Sequence, residues 1–210
     1  MKDINLIKQE ISKEQNKKVK LDLGFLTKLL SFVRNKKYRV VVSGGYGVDG
    51  ALGEITRFHN DLDVIIFAQG HREKTTRAIK NFIKSVFPNA DLHIHYNPFT
   101  AEIDVNTKGF GANIYLVETI ENPFENLNLI RLSDGNIQKN SEKRFPLPVK
   151  GKLLGLEFEV ENPNLRLADI LSKRNPPQSK KYKKHEQDIE NLKQIVDRKR
   201  VKYLLQVMSK

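Results

Sequence analysis

Ser43-Gly44-Gly45-Tyr46-Gly47-Val48-Asp49 and, after a short gap, Thr56-Arg57-Phe58-His59-Asn60-Asp61-Leu62-Asp63-Val64-Ile65-Ile66-Phe67 form the stretch whose reading decides the fold. Tyr38 to Ser43 is a short β-branched run broken by Gly44-Gly45, and Tyr46 to Leu52 reads as a short helix that Gly53 stops. Thr56 to Asn60 is polar and loop-like, and Asp61 to Ala68 alternates into a strongly apolar strand. The order is strand, glycine turn, helix, loop, strand. Alternation sends residues i and i+2 of a strand to one face, so Asp61 and Asp63 present two carboxylates side by side.

Two neighbouring carboxylates at the start of a buried strand need a partner or a metal. Magnesium prefers oxygen ligands and takes few carboxylates, completing its shell with waters and substrate phosphates. Gly44 and Gly45, lacking Cβ atoms, let backbone N–H groups approach a triphosphate, and the following helix adds the positive end of its dipole. A Gly-Gly alone marks a turn and an Asp-x-Asp alone a solvated strand end; their order and spacing together describe a phosphate-transfer site.

Outward from this stretch, residues 4 to 19 and 22 to 35 read as two helices, the second with Leu23, Leu26, Leu30 and Val33 at helical spacing. Residues 71 to 86 read as an amphipathic helix ended by Pro88. Residues 90 to 96, 99 to 105 and 110 to 118 read as strands whose short turns favour antiparallel neighbours. Further strands are expected near 128 to 133 and 152 to 160, across a polar stretch from Ser133 to Lys143. Asn162-Pro163 is a helix start, and helices follow to about Lys173, from Tyr182 to Val196 and from Asp197 to Met208. The expected fold class is α+β: a mixed sheet flanked by helices. Residues 1–161 would form the catalytic domain and 162–210 a helical region closing the cleft.

Composition narrows the partners. The chain has 210 residues, no cysteine and a formal net charge of +12. Without thiolates, any metal is held by oxygen or imidazole, and nothing points to an oxidising compartment. The lysine-rich N-terminus is neither a secretory signal nor a membrane span, so a cytoplasmic location and no membrane partner are expected. The basic balance favours anionic partners such as nucleotides or RNA, although lysines also simply solvate helix faces.

The segment Gly44 to Gly53 followed by Thr56 to Asp63 resembles the signature of the aminoglycoside 2''- and lincosamide nucleotidyltransferases, within the DNA polymerase β-like superfamily. A weaker likeness lies in Lys184-His185-Glu186-Gln187-Asp188, similar to a C-terminal helical element of that family whose basic start approaches the nucleotide phosphates. The resemblance implies an ATP- or other NTP-binding transferase with one or two Mg²⁺ ions held by Asp61 and Asp63. Ser43, Gly44, Gly45, Arg57 and Lys184 would hold the nucleotide. His59 has either a site or a packing role, Asp49 is expected to be structural, and His185 and Asp188 are expected to pair on the helix surface. The third carboxylate of such enzymes has two candidate positions. Asn113, in Ala112-Asn113-Ile114, stands where aspartate is expected, and Asp104, in Ile103-Asp104-Val105, is the preferred alternative. An asparagine oxygen can bind a metal but scarcely takes a proton.

Three functions follow from this. The first is transfer of a nucleoside monophosphate from an NTP to the hydroxyl of a small, antibiotic-like acceptor, by a monomer or homodimer. The second is modification of tRNA or other RNA, with the run Lys173 to Lys184, six basic residues and no acids, as the contact. The third is nucleotide binding without transfer, on the ground of Asn113. A polycationic acceptor calls for carboxylates, and the acidic clusters Glu118 to Glu125 and Glu157 to Glu161 are candidates.

Overall fold

A computed structural model describes residues 13–34, 36, 38–70, 72–97, 100–120, 123, 129–131, 137–139, 147–172 and 180–208, apart from some terminal side chains of its helices and those of its two shortest strands. The elements are α1 (Lys13–Val33), β1 (Tyr38–Val42), α2 (Gly44–Leu52), β2 (Leu62–Gln69), α3 (Arg72–Val86), β3 (Asp91–Tyr96), β4 (Thr100–Thr107), β5 (Phe110–Thr119), β6 (Leu129–Arg131), β7 (Ile137–Lys139), β8 (Val149–Leu153), β9 (Leu156–Val160), α4 (Pro163–Ser172), α5 (Lys180–Leu192) and α6 (Arg198–Met208). This is the α+β mixed sheet with flanking helices expected from the sequence.

The strands run in the order β3-β4-β5-β2-β1-β9-β8, with β6 pairing the end of β5 and β7 pairing β6. β1 is antiparallel to β2, whereas β2–β5 and β1–β9 are parallel. The consecutive turns make β3, β4 and β5 antiparallel neighbours. Alternation then sorts the two faces. Leu62, Val64 and Ile66 of β2 join Ile103, Ile114 and Leu116 in a core covered by α1 and α3. Each such fully buried side chain contributes about 2 kcal/mol relative to exposure. Phe25 of α1 stacks among Phe82, Phe87 and Phe110, fastening both helices to this face. Asp63, Ile65 and Phe67 point to the opposite, more open face and are half-buried.

A second apolar cluster joins Val48 of α2 to Leu167, Ala168 and Ile170 of α4, Leu192 of α5 and Val201 and Leu204 of α6. The C-terminal helices therefore sit against the helix that carries the Gly-Gly turn. Asn162 Oδ1 accepts from Asn164 N, and Asp197 Oδ1 accepts from Lys199 N and Arg200 N, so both helix starts carry side-chain caps.

Three expectations are corrected. The break placed between two N-terminal helices does not exist: α1 runs unbroken through Lys20-Leu21, because Val19, Leu23, Leu26 and Leu29 continue one buried stripe. Residues 4–12 lie outside the described residues. The single strand expected over 152 to 160 is a hairpin, β8 and β9, turned at Leu154 and Gly155 with φ of 46° and 85°. The polar stretch after Ser133 contains β7, whose Ile137–Lys139 pairs with β6.

Candidate functional site

The site begins where β1 and β9 end and β2 starts. Ser43 N donates to Asp63 O and Glu161 N to Val42 O, both at 2.9 Å. Ser43 precedes α2 in extended conformation but does not cap it with its side chain; its Oγ donates to Glu161 Oε2 at 2.7 Å. The start of α2 thus carries no Ser43 side-chain cap and lies with the positive end of its dipole beside the carboxylates.

Both glycines of that turn are demanded by close approach. Gly44 has φ +61°, and a Cβ there would fall 1.9 Å from Asp63 Oδ2. A Cβ on Gly45 would fall 2.1 Å from His59 Nδ1 and 2.6 Å from Arg57 Nη2. The missing side chains are the space in which Asp63, His59 and Arg57 lie.

Asp61 and Asp63 come together as expected from their spacing, and the group that joins them is Asn113. Residue 113 is opposite Asp63 in the β2–β5 register, and its Nδ2 donates to Asp63 Oδ1 at 2.9 Å and reaches Asp61 Oδ2 at 3.4 Å. Asp104 is opposite Asn113 on its other side, so Asp63, Asn113 and Asp104 form one row across the open face. At strand spacing, Asp63 and Asp104 are about 10 Å apart. Asp104 also lies 3.4 Å from His95 Nε2. In the next row Tyr115 stands between Ile65 and Glu102. Burial raises the Tyr115 hydroxyl pKa, and the nearby Glu102 and Asp63 carboxylates raise it further.

Behind the turn, a buried polar chain fixes its position. Asp49 accepts from Thr56 Oγ1 at 2.6 Å and from Thr56 N at 3.2 Å, and its other oxygen meets His59 Nε2. Asp49 therefore ties α2 to the loop before Asp61. His59 Nδ1 is buried and has no hydrogen-bond partner among the described residues. Tyr46 packs on the His59 ring and donates to Asp22 Oδ2 at 2.7 Å, while Lys18 pairs with the same carboxylate. Burial raises the Asp22 pKa above its ordinary value of 3.8, with the Lys18 and Tyr46 hydrogen bonds opposing it, and raises that of Tyr46 strongly.

Arg57 is not on the surface. Its Nε and Nη2 donate to Asp188 Oδ1 and Oδ2 at 2.8 and 2.9 Å, with side-chain exposures of 8% and 1%. Asp188 was expected on a helix surface beside His185, but α5 is amphipathic and turns Asp188 inward onto the loop. Of the basic run 173–184, residues 173–179 and the side chains of residues 180–184, Lys184 among them, lie outside the described residues, and His185 is half-buried.

Of the acidic clusters read from the sequence, only some members have described partners. Glu118 accepts from Arg72 N, Glu159 pairs with Arg39 and Glu157 lies near Lys152; residues 121, 122 and 124–128 are outside the described residues. Strand register puts Glu102 and Asp104 on the open face with Asp63 and Asp61, and on β9 it puts Glu159, paired with Arg39, on the same face. Sequence reasoning misses Glu102 and Tyr115, and it takes Glu161 only as part of an acidic cluster and Asp188 only as a surface partner of His185, because strand register and helix docking alone bring them in. The alternation of Thr100 to Thr107 against Phe110 to Thr119 is the one signal that could have found Glu102 and Tyr115.

A family model described as aminoglycoside-2''-adenylyltransferase matches residues 25–108, which include the glycine turn, Asp61, Asp63 and Asp104. The solution structure of the antibiotic-resistance factor ANT(2'')-Ia superposes with a TM-score of 0.63 at 11% identity, covering 90% of this chain and 91% of that one. The fold is that of the antibiotic nucleotidyltransferases. A crystal structure of ANT(2'')-Ia in complex with adenylyl-2''-tobramycin also gives a TM-score of 0.63, at 12% identity over 90% of this chain and 97% of that one. The lincomycin-bound lincosamide antibiotic adenylyltransferase LnuA gives 0.56 at 17% identity, over 84% and 97%. A comparison with curated protein sequences finds no match. The resemblance read from the Gly-Gly and Asp-x-Asp motifs is thus matched by family model and by fold. No helix among the described residues is long and apolar enough to cross a membrane.

Proposed function

We propose that this chain is a Mg²⁺-dependent nucleotidyltransferase that moves a nucleoside monophosphate from an NTP to a hydroxyl of a small, antibiotic-like acceptor and releases pyrophosphate. The observation that carries this reading is the meeting of Asp61 and Asp63 with an uncapped helix start whose glycines are emptied for the site side chains. The donor chemistry fits magnesium. Among the described residues no cluster of three or more His, Asp or Glu could hold an ion unaided, and a two-carboxylate site completed by substrate phosphates suits this cation. One or two ions held by Asp61 and Asp63 would stabilise charge on the attacking and leaving oxygens.

The protein's own groups supply the rest. Gly44, Gly45 and the first turn of α2 cradle the phosphates, Ser43 is held in place by Glu161, and Arg57 lends positive charge beside the turn. The acceptor lies over Asn113, between Asp63 and Asp104. Its oxygen bonds to the α-phosphorus, the bond to pyrophosphate breaks, and the hydroxyl proton passes to Asp104, because an amide at position 113 cannot take it. Glu102 and Tyr115 offer a carboxylate and an aromatic surface to an acceptor bearing amines. Residues 1–161 act as the catalytic domain, with 162–210 closing the cleft from the side of α2.

A second reading, nucleotide binding without transfer, is favoured by one observation: Asn113 satisfies both carboxylates with an amide. Calorimetry of NTP binding with and without Mg²⁺, on wild type and Asp61→Ala/Asp63→Ala, tests the site. Pyrophosphate release with pooled amine-bearing acceptors then separates the readings. Metal-dependent binding lost in the double variant with turnover in wild type supports transfer; binding without turnover supports the second reading; binding indifferent to the substitutions overturns both.

A further inference from the structure

We infer that Asp188, far along the chain in α5, is a positioning residue for phosphate binding: it fixes the Arg57 guanidinium against the first turn of α2. The inference rests on the nucleotide reading above and concerns which residue gives Arg57 its orientation.

Three contacts hold the guanidinium plane. Nε and Nη2 donate to the two Asp188 oxygens at 2.8 and 2.9 Å, and Nη1 donates to Phe58 O at 3.2 Å. A guanidinium has five N–H groups, so each Nη retains a hydrogen for another oxygen. The plane is placed against the helix start, since a Cβ on Gly45 would sit 2.6 Å from Nη2. A carboxylate that is 1% exposed and this close to an anion site would by itself repel phosphate. Paired bidentately, it costs the site little charge and removes the rotational freedom of a long cation. The same junction carries a second, neutral tie, Gln187 Nε2 to Thr56 O at 2.9 Å, which does not touch the guanidinium.

That second tie provides the control. Binding of inorganic triphosphate and of ATP, each with Mg²⁺, is measured by calorimetry on wild type, Asp188→Asn, Arg57→Lys and Gln187→Ala, with melting temperatures for all four. The expected result is a loss of about tenfold to a hundredfold in affinity for both ligands in Asp188→Asn and Arg57→Lys. Gln187→Ala should melt earlier yet bind as wild type does. The charge-swapped Arg57→Asp/Asp188→Arg should regain melting temperature without regaining affinity. Unchanged or tighter binding in a folded Asp188→Asn overturns the inference while leaving the nucleotide reading intact. A wild type that binds neither ligand overturns that reading first and the inference with it.

Discussion

Asn113 Nδ2 lies between Asp61 and Asp63, and this placement sets opposite demands on the site with and without a cation. An amide N–H stabilises paired carboxylates when no ion is near; an aspartate there would add a third negative charge. Asn113→Asp is therefore expected to lose about 1–3 kcal/mol of stability without divalent ions, through like-charge repulsion and the lost donor. Added Mg²⁺ should raise its melting temperature more than it raises that of wild type, because the ion binds only the folded site. Melting curves with and without Mg²⁺ check both outcomes, and a variant that ignores the ion would remove Asn113 from the metal site. Gly45→Ala tests the opposite kind of residue. Its methyl would overlap His59 and Arg57, so a loss of about 1–3 kcal/mol is expected in thermal melts, together with weakened triphosphate binding.

Among the elements, α2 carries the site and is held from below by α1 through Tyr46 and Asp22. Tyr46→Phe removes the hydroxyl that donates to a fully buried carboxylate, and a cost of about 1–3 kcal/mol is expected by chemical denaturation. The same carboxylate predicts a pH effect. Burial raises the folded-state pKa of Asp22 above the unfolded value, so between the two the native state holds more protons than the unfolded chain. Stability from this group is fully present below the unfolded pKa and falls as pH rises through the folded pKa. Asp22→Asn should flatten that part of the curve. Melting temperatures taken from pH 3.5 upward compare the two proteins, and equal slopes would show that Asp22 does not titrate between the states.

Across the whole molecule, the charge of +12 is unevenly spread. The helices covering the core face expose Lys17, Lys20, Lys28, Arg77, Lys80 and Lys84, whereas the open face carries Asp63, Glu102 and Asp104. Net charge therefore says little about the surface an acceptor meets. With an aminoglycoside as acceptor, Glu102→Gln should raise the acceptor KM by up to about fivefold, and added salt should shrink the difference. Steady-state kinetics at two ionic strengths measure this, and an unchanged KM would place the acceptor away from Glu102.

The local sequence determined the strand, glycine turn, helix and strand around Asp61 and Asp63, because alternation, glycine freedom and apolar runs act over a few residues. It determined the antiparallel run from Asp91 to Thr119 for the same reason. The hairpin at Leu154-Gly155 escaped because Leu154 takes a positive φ that its side chain does not advertise. Only the tertiary structure decided that Asn113, not Asp104, touches the carboxylate pair, that Glu102 and Tyr115 share its face, and that Asp188 meets Arg57 131 residues away. Those facts depend on strand order and on helix docking, which are set by how buried surfaces from distant segments fit together, and no short window of sequence holds both partners.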